Sequence, residues 1–148
     1  MTNEQNHLIR QTFDLVAPMA DSMAEVFYRR LFELDPSLRA MFPPVLVEQG
    51  RKLMQMLGAA IGMLDRPQQL IPVLESLGKR HAGYGVRDEH YDTVGEALLW
   101  TLERGLGPVF TPDVKAAWAA LYGVVATTMK NAAKLPSEER ELIETVAG

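Results

Sequence analysis

Apolar residues recur along most of the chain at steps of three and four, the period of a helix with one buried face. Leu8, Ile9, Thr12, Phe13 and Val16 predict a first helix over about Asn3 to Ala17. Met23, Val26, Phe27, Leu31 and Leu34 predict a second, from about Met19 to Leu34. Asp35-Pro36 breaks that run and sets Asp35 to cap a short turn, Ser37 to Phe42. The turn ends at Pro43-Pro44, a pair that cannot lie inside a helix. Gln49, Leu53, Leu57, Ala60 and Leu64 share a face of a third helix, about Val47 to Leu64, which Arg66-Pro67 ends. Leu74, Leu77, Gly78 and His81 share a face of a fourth, about Gln68 to Ala82, released at Gly83-Tyr84-Gly85. Tyr91, Val94, Leu98 and Leu102 mark a fifth, about Asp88 to Leu106. Thr111-Pro112 opens a sixth as N-cap and first helical residue, with Val114, Trp118, Leu121, Val125 and Met129 as its stripe. Beyond Pro136-Ser137, residues 137–148 predict a short extra amphipathic helix carrying Leu142, Ile143 and Val146. No window keeps a strand's period of two for long. The expectation is an all-α chain of six to eight helices forming one domain, 1–148.

Composition narrows the class. The 148 residues are 47% hydrophobic and 23% charged, the balance of a globular domain with a substantial core. No apolar run reaches the 18 or more residues of a membrane span, and the start, MTNEQNHLIR, has no basic region followed by an apolar stretch. There is no cysteine, which excludes disulfides, thiolate catalysis and thiolate metal sites. A net charge of −4 argues against a nucleic-acid surface. These features predict a cytoplasmic protein with no membrane and no nucleic-acid partner.

Chemistry is concentrated in few places. The three histidines, His7, His81 and His90, lie far apart, with no HExxH. Gly83-Tyr84-Gly85 lacks the strand and the spacing of a phosphate loop. Acidic clusters such as Glu138-Glu139 read as solvated faces, and the eight methionines as an adaptable core. His81 stands out because it closes an apolar stripe at a helix end. Its plain reading is a buried histidine satisfied by a backbone carbonyl; its functional reading is a ligand for haem iron. Tyr28 and Gln49, polar tips on largely apolar faces, are the candidate donors opposite it.

Three stretches carry a resemblance: FYRRLFELDPSLRAMF (Phe27 to Phe42), GKRHAGYGVRDEHYDTVGEALL (Gly78 to Leu99) and AWAALYGVV (Ala117 to Val125). In this order and at these intervals the chain resembles a bacterial single-domain globin, similar to the haem domain of flavohaemoglobins, over about Asn3 to Lys134. The resemblance implies a globin fold and haem b. It implies His81 as the proximal iron ligand, Phe42 as the aromatic packed on the porphyrin, and Tyr28 and Gln49 as distal donors. Leu53 would face the iron, and Tyr91 would approach the histidine. Leu57, Leu77, Val86 and Val94 would complete the cofactor lining. Ala24 and Gly50 match small residues where two helices cross closely. Two departures accompany these matches. No FAD- or NAD(P)H-binding part follows, so a reductant would be a separate protein. The position where the family often places a glutamate paired with the proximal tyrosine falls on Ala133.

The function expected is reversible binding of dioxygen, and of nitric oxide and carbon monoxide, by a monomer or weak homodimer. The competing expectations are nitric-oxide dioxygenation with a separate reductase, a gas sensor, and a haem-free helical interaction module.

Overall fold

The computed structural model describes residues 1–134, so the extra helix expected over 137–148 lies outside the described residues. Among the described residues six α-helices follow one another: α1 (Asn3–Val16), α2 (Ala20–Leu34), α3 (Val47–Gly62), α4 (Pro67–Gly83), α5 (Asp88–Leu106) and α6 (Pro112–Ala133). Short 3-10 turns fill three connections, Ala17–Met19, Pro36–Met41 and Gly107–Val109. Among the described residues there is no strand, as the periodicity predicts.

The helix ends follow from local chemistry. The Asp35 carboxylate accepts the Ser37 N–H at 3.1 Å, and the Thr111 hydroxyl accepts the Val114 N–H at 3.3 Å, so both expected caps are made. Pro67, read from the sequence as the end of the third helix, is instead the first residue of α4, where a missing N–H costs nothing. The chain between Gly62 and Pro67 is a turn, with Arg66 N–H donating to the Met63 carbonyl at 2.9 Å. The periodicity gave no hint of Pro72 inside α4.

Two small residues set how closely the helices approach. A β-carbon at Gly50 would lie 2.7 Å from that of Ala24, so α2 and α3 cross there nearly backbone to backbone. At Gly78 a β-carbon would overlap the Met129 backbone, so α4 lies flush on α6 one turn before His81. The polar member of the α1 stripe also has a purpose. The Trp118 indole N–H donates to the Thr12 hydroxyl at 2.9 Å, tying α6 to α1 where Trp118 and Ile9 are fully buried. Met23 and Met129 join the core, but Met19 and Met41 are 42% and 36% exposed, so the reading of the methionines as core holds only in part.

Candidate functional site

His81 comes from the last turn of α4, which ends because Gly85 takes φ +87°, a left-handed conformation open to glycine. The loop folds back on the histidine's own backbone, with Val86 N–H donating to the His81 carbonyl at 3.1 Å. The far end of the loop is fixed by His90, whose Nδ1 accepts the Arg87 N–H at 2.9 Å. The His81 side chain is half-buried. Its Nδ1 lies 2.8 Å from the Leu77 carbonyl. A carbonyl only accepts, so Nδ1 carries the proton and Nε2 keeps a lone pair for a metal. Burial, the larger influence, pushes the imidazole's pKa below its ordinary value, against an upward pull from the Leu77 bond. A neutral ring is the form that ligates.

The second group of candidate residues is aromatic. Tyr28, 4% exposed on α2, is enclosed by three phenylalanines. Its ring centroid lies 5.1 Å from Phe27, 5.4 Å from Phe42 and 6.1 Å from Phe32. Its hydroxyl donates to the Gln49 main-chain carbonyl at 3.4 Å, a long bond that leaves the group little committed. Burial pushes the phenol up to about 12, against a smaller opposing pull from the Gln49 side chain, so it stays a donor at neutral pH.

Most of the apolar and aromatic candidates fall into two groups, each with a member on α5. Tyr28, Phe42, Leu53 and Val94 belong to one apolar cluster. Leu77, Val86 and Tyr91 belong to the other. Leu57 belongs to neither; with Leu53 it borders an apolar cavity of about 30 Å³ under α3, large enough for one very small molecule. Phe42, Gln49, Leu53, Leu57, Leu77, Val86 and Val94 are all only half-buried.

Tyr91 is 8% exposed, and its buried hydroxyl has no hydrogen-bond partner among the described residues. Burial, and to a lesser degree the Asp88 charge, raises its pKa. The Lys130 ammonium sits 5.7 Å from its ring centroid, and the Tyr122 hydroxyl donates to its main-chain carbonyl. The sequence reading missed Tyr122 and Arg39. Arg39 directs its guanidinium to the carbonyls of Phe42, Pro43 and Pro44. The signal for Arg39 was present: two consecutive prolines have no N–H with which to hold their own corner.

An all-α chain with α2 crossed closely by α3, α4 flush on α6, and one imidazole at the end of α4 defines the globin class of fold. The family model described as Globin matches residues 25–129, and the chain belongs to the globin family. A flavohaemoprotein from Xylella fastidiosa is 33% identical over 127 residues, 84% of this chain but 32% of its own length, so the chain spans about a third of that relative. Neuroglobin from Danio rerio is 30% identical over 143 residues, 87% of this chain and 90% of that protein. The structure of a bacterial globin from Campylobacter jejuni superposes with a TM-score of 0.79 at 24% identity, covering 90% of this chain and 96% of that one.

The cofactor of these globins is haem b, and the residues present fit it. His81 offers an uncommitted Nε2. The half-buried apolar candidates supply surface for a flat macrocycle. The orphaned Tyr91 hydroxyl is a buried polar atom awaiting a partner.

Proposed function

We propose that the chain binds dioxygen reversibly at haem b, with nitric oxide and carbon monoxide as alternative ligands. Haem would supply an iron able to take a diatomic ligand, and His81 is the residue that would hold it. The His81 tautomer, fixed by the Leu77 carbonyl, is the observation that carries this reading. On the other side the chain contributes donors. The Tyr28 phenol turns from its long bond with the Gln49 carbonyl toward the ligand, and the Gln49 amide adds a second N–H. Each hydrogen bond contributes about 1 kcal/mol, and up to about 3 kcal/mol where the acceptor carries charge. Two donors in an apolar, low-dielectric pocket make a slow-releasing binder, suited to scavenging or chemistry more than to delivery.

Absorption spectra test the first half: a Soret band that shifts on reduction and again with carbon monoxide is expected. Stopped-flow release of dioxygen tests the second. Tyr28→Phe is expected to raise the off-rate roughly tenfold; an unchanged rate removes Tyr28 from the mechanism.

The 33% identity to a flavohaemoprotein favours a second reading, nitric-oxide dioxygenation with electrons from a separate reductase. The His81 side weighs against high efficiency in that role. Ala133 has no carboxylate to offer, and Tyr91 has a cation, Lys130, over its ring. Multiple turnovers with a reductase separate this reading from a single stoichiometric reaction. The remaining expectations, a monomer or weak homodimer in the cytoplasm, belong to the same proposal; among the described residues no helix is long and apolar enough to cross a membrane.

A further inference from the structure

The segment between the Pro36–Met41 turn and α3 has a structural problem. Pro43 and Pro44 carry no N–H, so neither can donate a backbone hydrogen bond. Backbone bonding runs to Phe42, whose N–H donates to the Arg39 carbonyl at 3.3 Å, and resumes where Gly50 N–H donates to the Leu46 carbonyl at 2.8 Å. Arg39 bridges the gap. Its Nη1 donates to the Phe42 carbonyl at 3.4 Å and the Pro43 carbonyl at 2.9 Å, and its Nη2 donates to the Pro44 carbonyl at 2.8 Å. One planar guanidinium thus holds three successive carbonyls.

The same guanidinium lies 5.4 Å from the centre of the Phe32 ring. Phe32, Phe42 and Tyr28 form a closed triangle of rings. Phe42 meets Phe32 edge-on at 5.6 Å and Tyr28 edge-on at 5.4 Å, and Tyr28 stacks on Phe32 at 6.1 Å. Arg39 touches two corners, Phe32 through its ring and Phe42 through its backbone. The third corner, Tyr28, is otherwise held by the edge-on Phe27 ring at 5.1 Å and by the 3.4 Å bond of its hydroxyl. The rings set its pose. The turn that bears Arg39 is itself anchored, by the Asp35 carboxylate on the Ser37 N–H at 3.1 Å and by Leu38, 3% exposed in the same cluster.

We propose that Arg39 is a positioning residue for Tyr28: by clamping the Phe42-Pro43-Pro44 corner and capping Phe32, it fixes the ring triangle that sets the pose of the phenol. This rests on the reading of Tyr28 as the donor to a bound diatomic. Arg39 is half-buried, and its contacts among the described residues are three carbonyls and one ring. Its effect on a ligand therefore passes through the ring triangle, and the Tyr28→Phe background isolates the part that runs through Tyr28.

The test uses Arg39→Met and Arg39→Lys, each alone and combined with Tyr28→Phe, in the full chain. Dioxygen release and the C–O stretch of the carbon monoxide complex report the donor. The cross-relaxation between the Tyr28 and Phe42 rings reports the clamp directly. Arg39→Met is expected to raise the off-rate roughly three- to tenfold and to move the C–O band toward that of Tyr28→Phe. It is also expected to weaken the ring-to-ring signal. Added to Tyr28→Phe it should change the off-rate less than about twofold, the non-additivity of two residues acting through one group. Arg39→Lys, with the charge but not the fork, should fall between and show that the Met variant's change is not loss of fold. An equal factor in both backgrounds, or an unchanged off-rate in Arg39→Met alone, overturns the positioning role. If Tyr28→Phe changes nothing while Arg39→Met still loses the ring-to-ring signal, the donor reading fails and the clamp stands. An unchanged ring signal in Arg39→Met overturns the clamp whatever Tyr28→Phe does.

Discussion

On the Tyr28 side of the site, three phenylalanine rings, a backbone carbonyl and an arginine-clamped corner fix one phenol. On the His81 side, one carbonyl orients the imidazole, and the buried Tyr91 hydroxyl has no partner among the described residues. Every element of the first wall is present in the chain as it stands. The second wall is left with one buried polar atom, the Tyr91 hydroxyl, that has no partner among the described residues, beside an imidazole whose Nδ1 is bound and whose Nε2 is uncommitted. Buried polar atoms are rarely left unpaired, because each costs about 1–3 kcal/mol. On the proposed function, cofactor retention would fall to the His81 side and ligand discrimination to the Tyr28 side.

Removing the imidazole is the most severe way to break this comparison. His81→Gly is expected to weaken haem affinity by at least about 100-fold, the upper range for losing even a group that merely orients a ligand. Haem transfer to a scavenging apoprotein measures it, and added imidazole should restore part of the Soret band. Tyr28→Phe should leave retention nearly unchanged. Equal haem loss from both variants would dissolve the division of labour.

A strong but less direct effect is expected at Gly78. Alanine there would drive its β-carbon into the Met129 backbone, and neither helix can yield without separating. Overpacking of this kind costs about 1–3 kcal/mol, which thermal unfolding reads as a drop of several degrees in Tm. Because Gly78 lies one turn before His81, haem retention should fall with stability. Gly50→Ala meets the Ala24 β-carbon at 2.7 Å instead, and should disturb the Tyr28 side while sparing retention.

How far the sequence foretold this division depended on whether the partners were close in the chain. His81 and Leu77 are four apart, so helical spacing alone brings Nδ1 to the carbonyl. The Asp35 and Thr111 caps follow from residue type and position, and α5 runs over Asp88–Leu106 as its stripe predicts. Arg39 was passed over because periodicity counts apolar positions, and its partners are carbonyls, which every residue has. Tyr122 was unreadable for another reason. Its bond to the Tyr91 carbonyl joins residues 31 apart and exists only once α6 packs on α5. Pro67 was misplaced by one element because proline is equally at home just after one helix and at the start of the next.

Acidification gives a smaller effect, confined to one side. Burial holds the His81 pKa below its ordinary value, so the folded chain resists a proton that the unfolded chain accepts. Above about pH 6.5 the ring is neutral in both states and its share of stability is fully present. As pH falls through about 6.5, the unfolded state is protonated first, and stability declines until the folded pKa is passed. Urea midpoints of the haem-free chain should therefore fall between pH 7.5 and pH 5, and fall less in His81→Leu. The carboxyls of Asp35 and Asp65 are held below their ordinary values and lose their contribution only at lower pH, as the folded forms protonate. A decline of the same slope in the leucine variant would place the sensitivity elsewhere.

The smallest expected effect is at Lys130, and it bears most closely on the unfinished wall. The ammonium stands 5.7 Å from the Tyr91 ring centroid. Such contacts contribute about 0.5–1 kcal/mol when partly solvated. Lys130→Met keeps the aliphatic stem over the ring and removes only the charge, so the stability change should stay below about 1 kcal/mol. The reduction potential of the loaded protein should move down, because a nearby cation favours the less positive ferrous iron. The iron–histidine stretch is the discriminating readout. Tyr91 is placed by the Tyr122 hydroxyl at its backbone, not by Lys130, so the stretch should stay where it is while the potential shifts. If both move together, Lys130 orients the tyrosine as well as charging its surroundings, and the His81 side is held more firmly than its single carbonyl bond suggests.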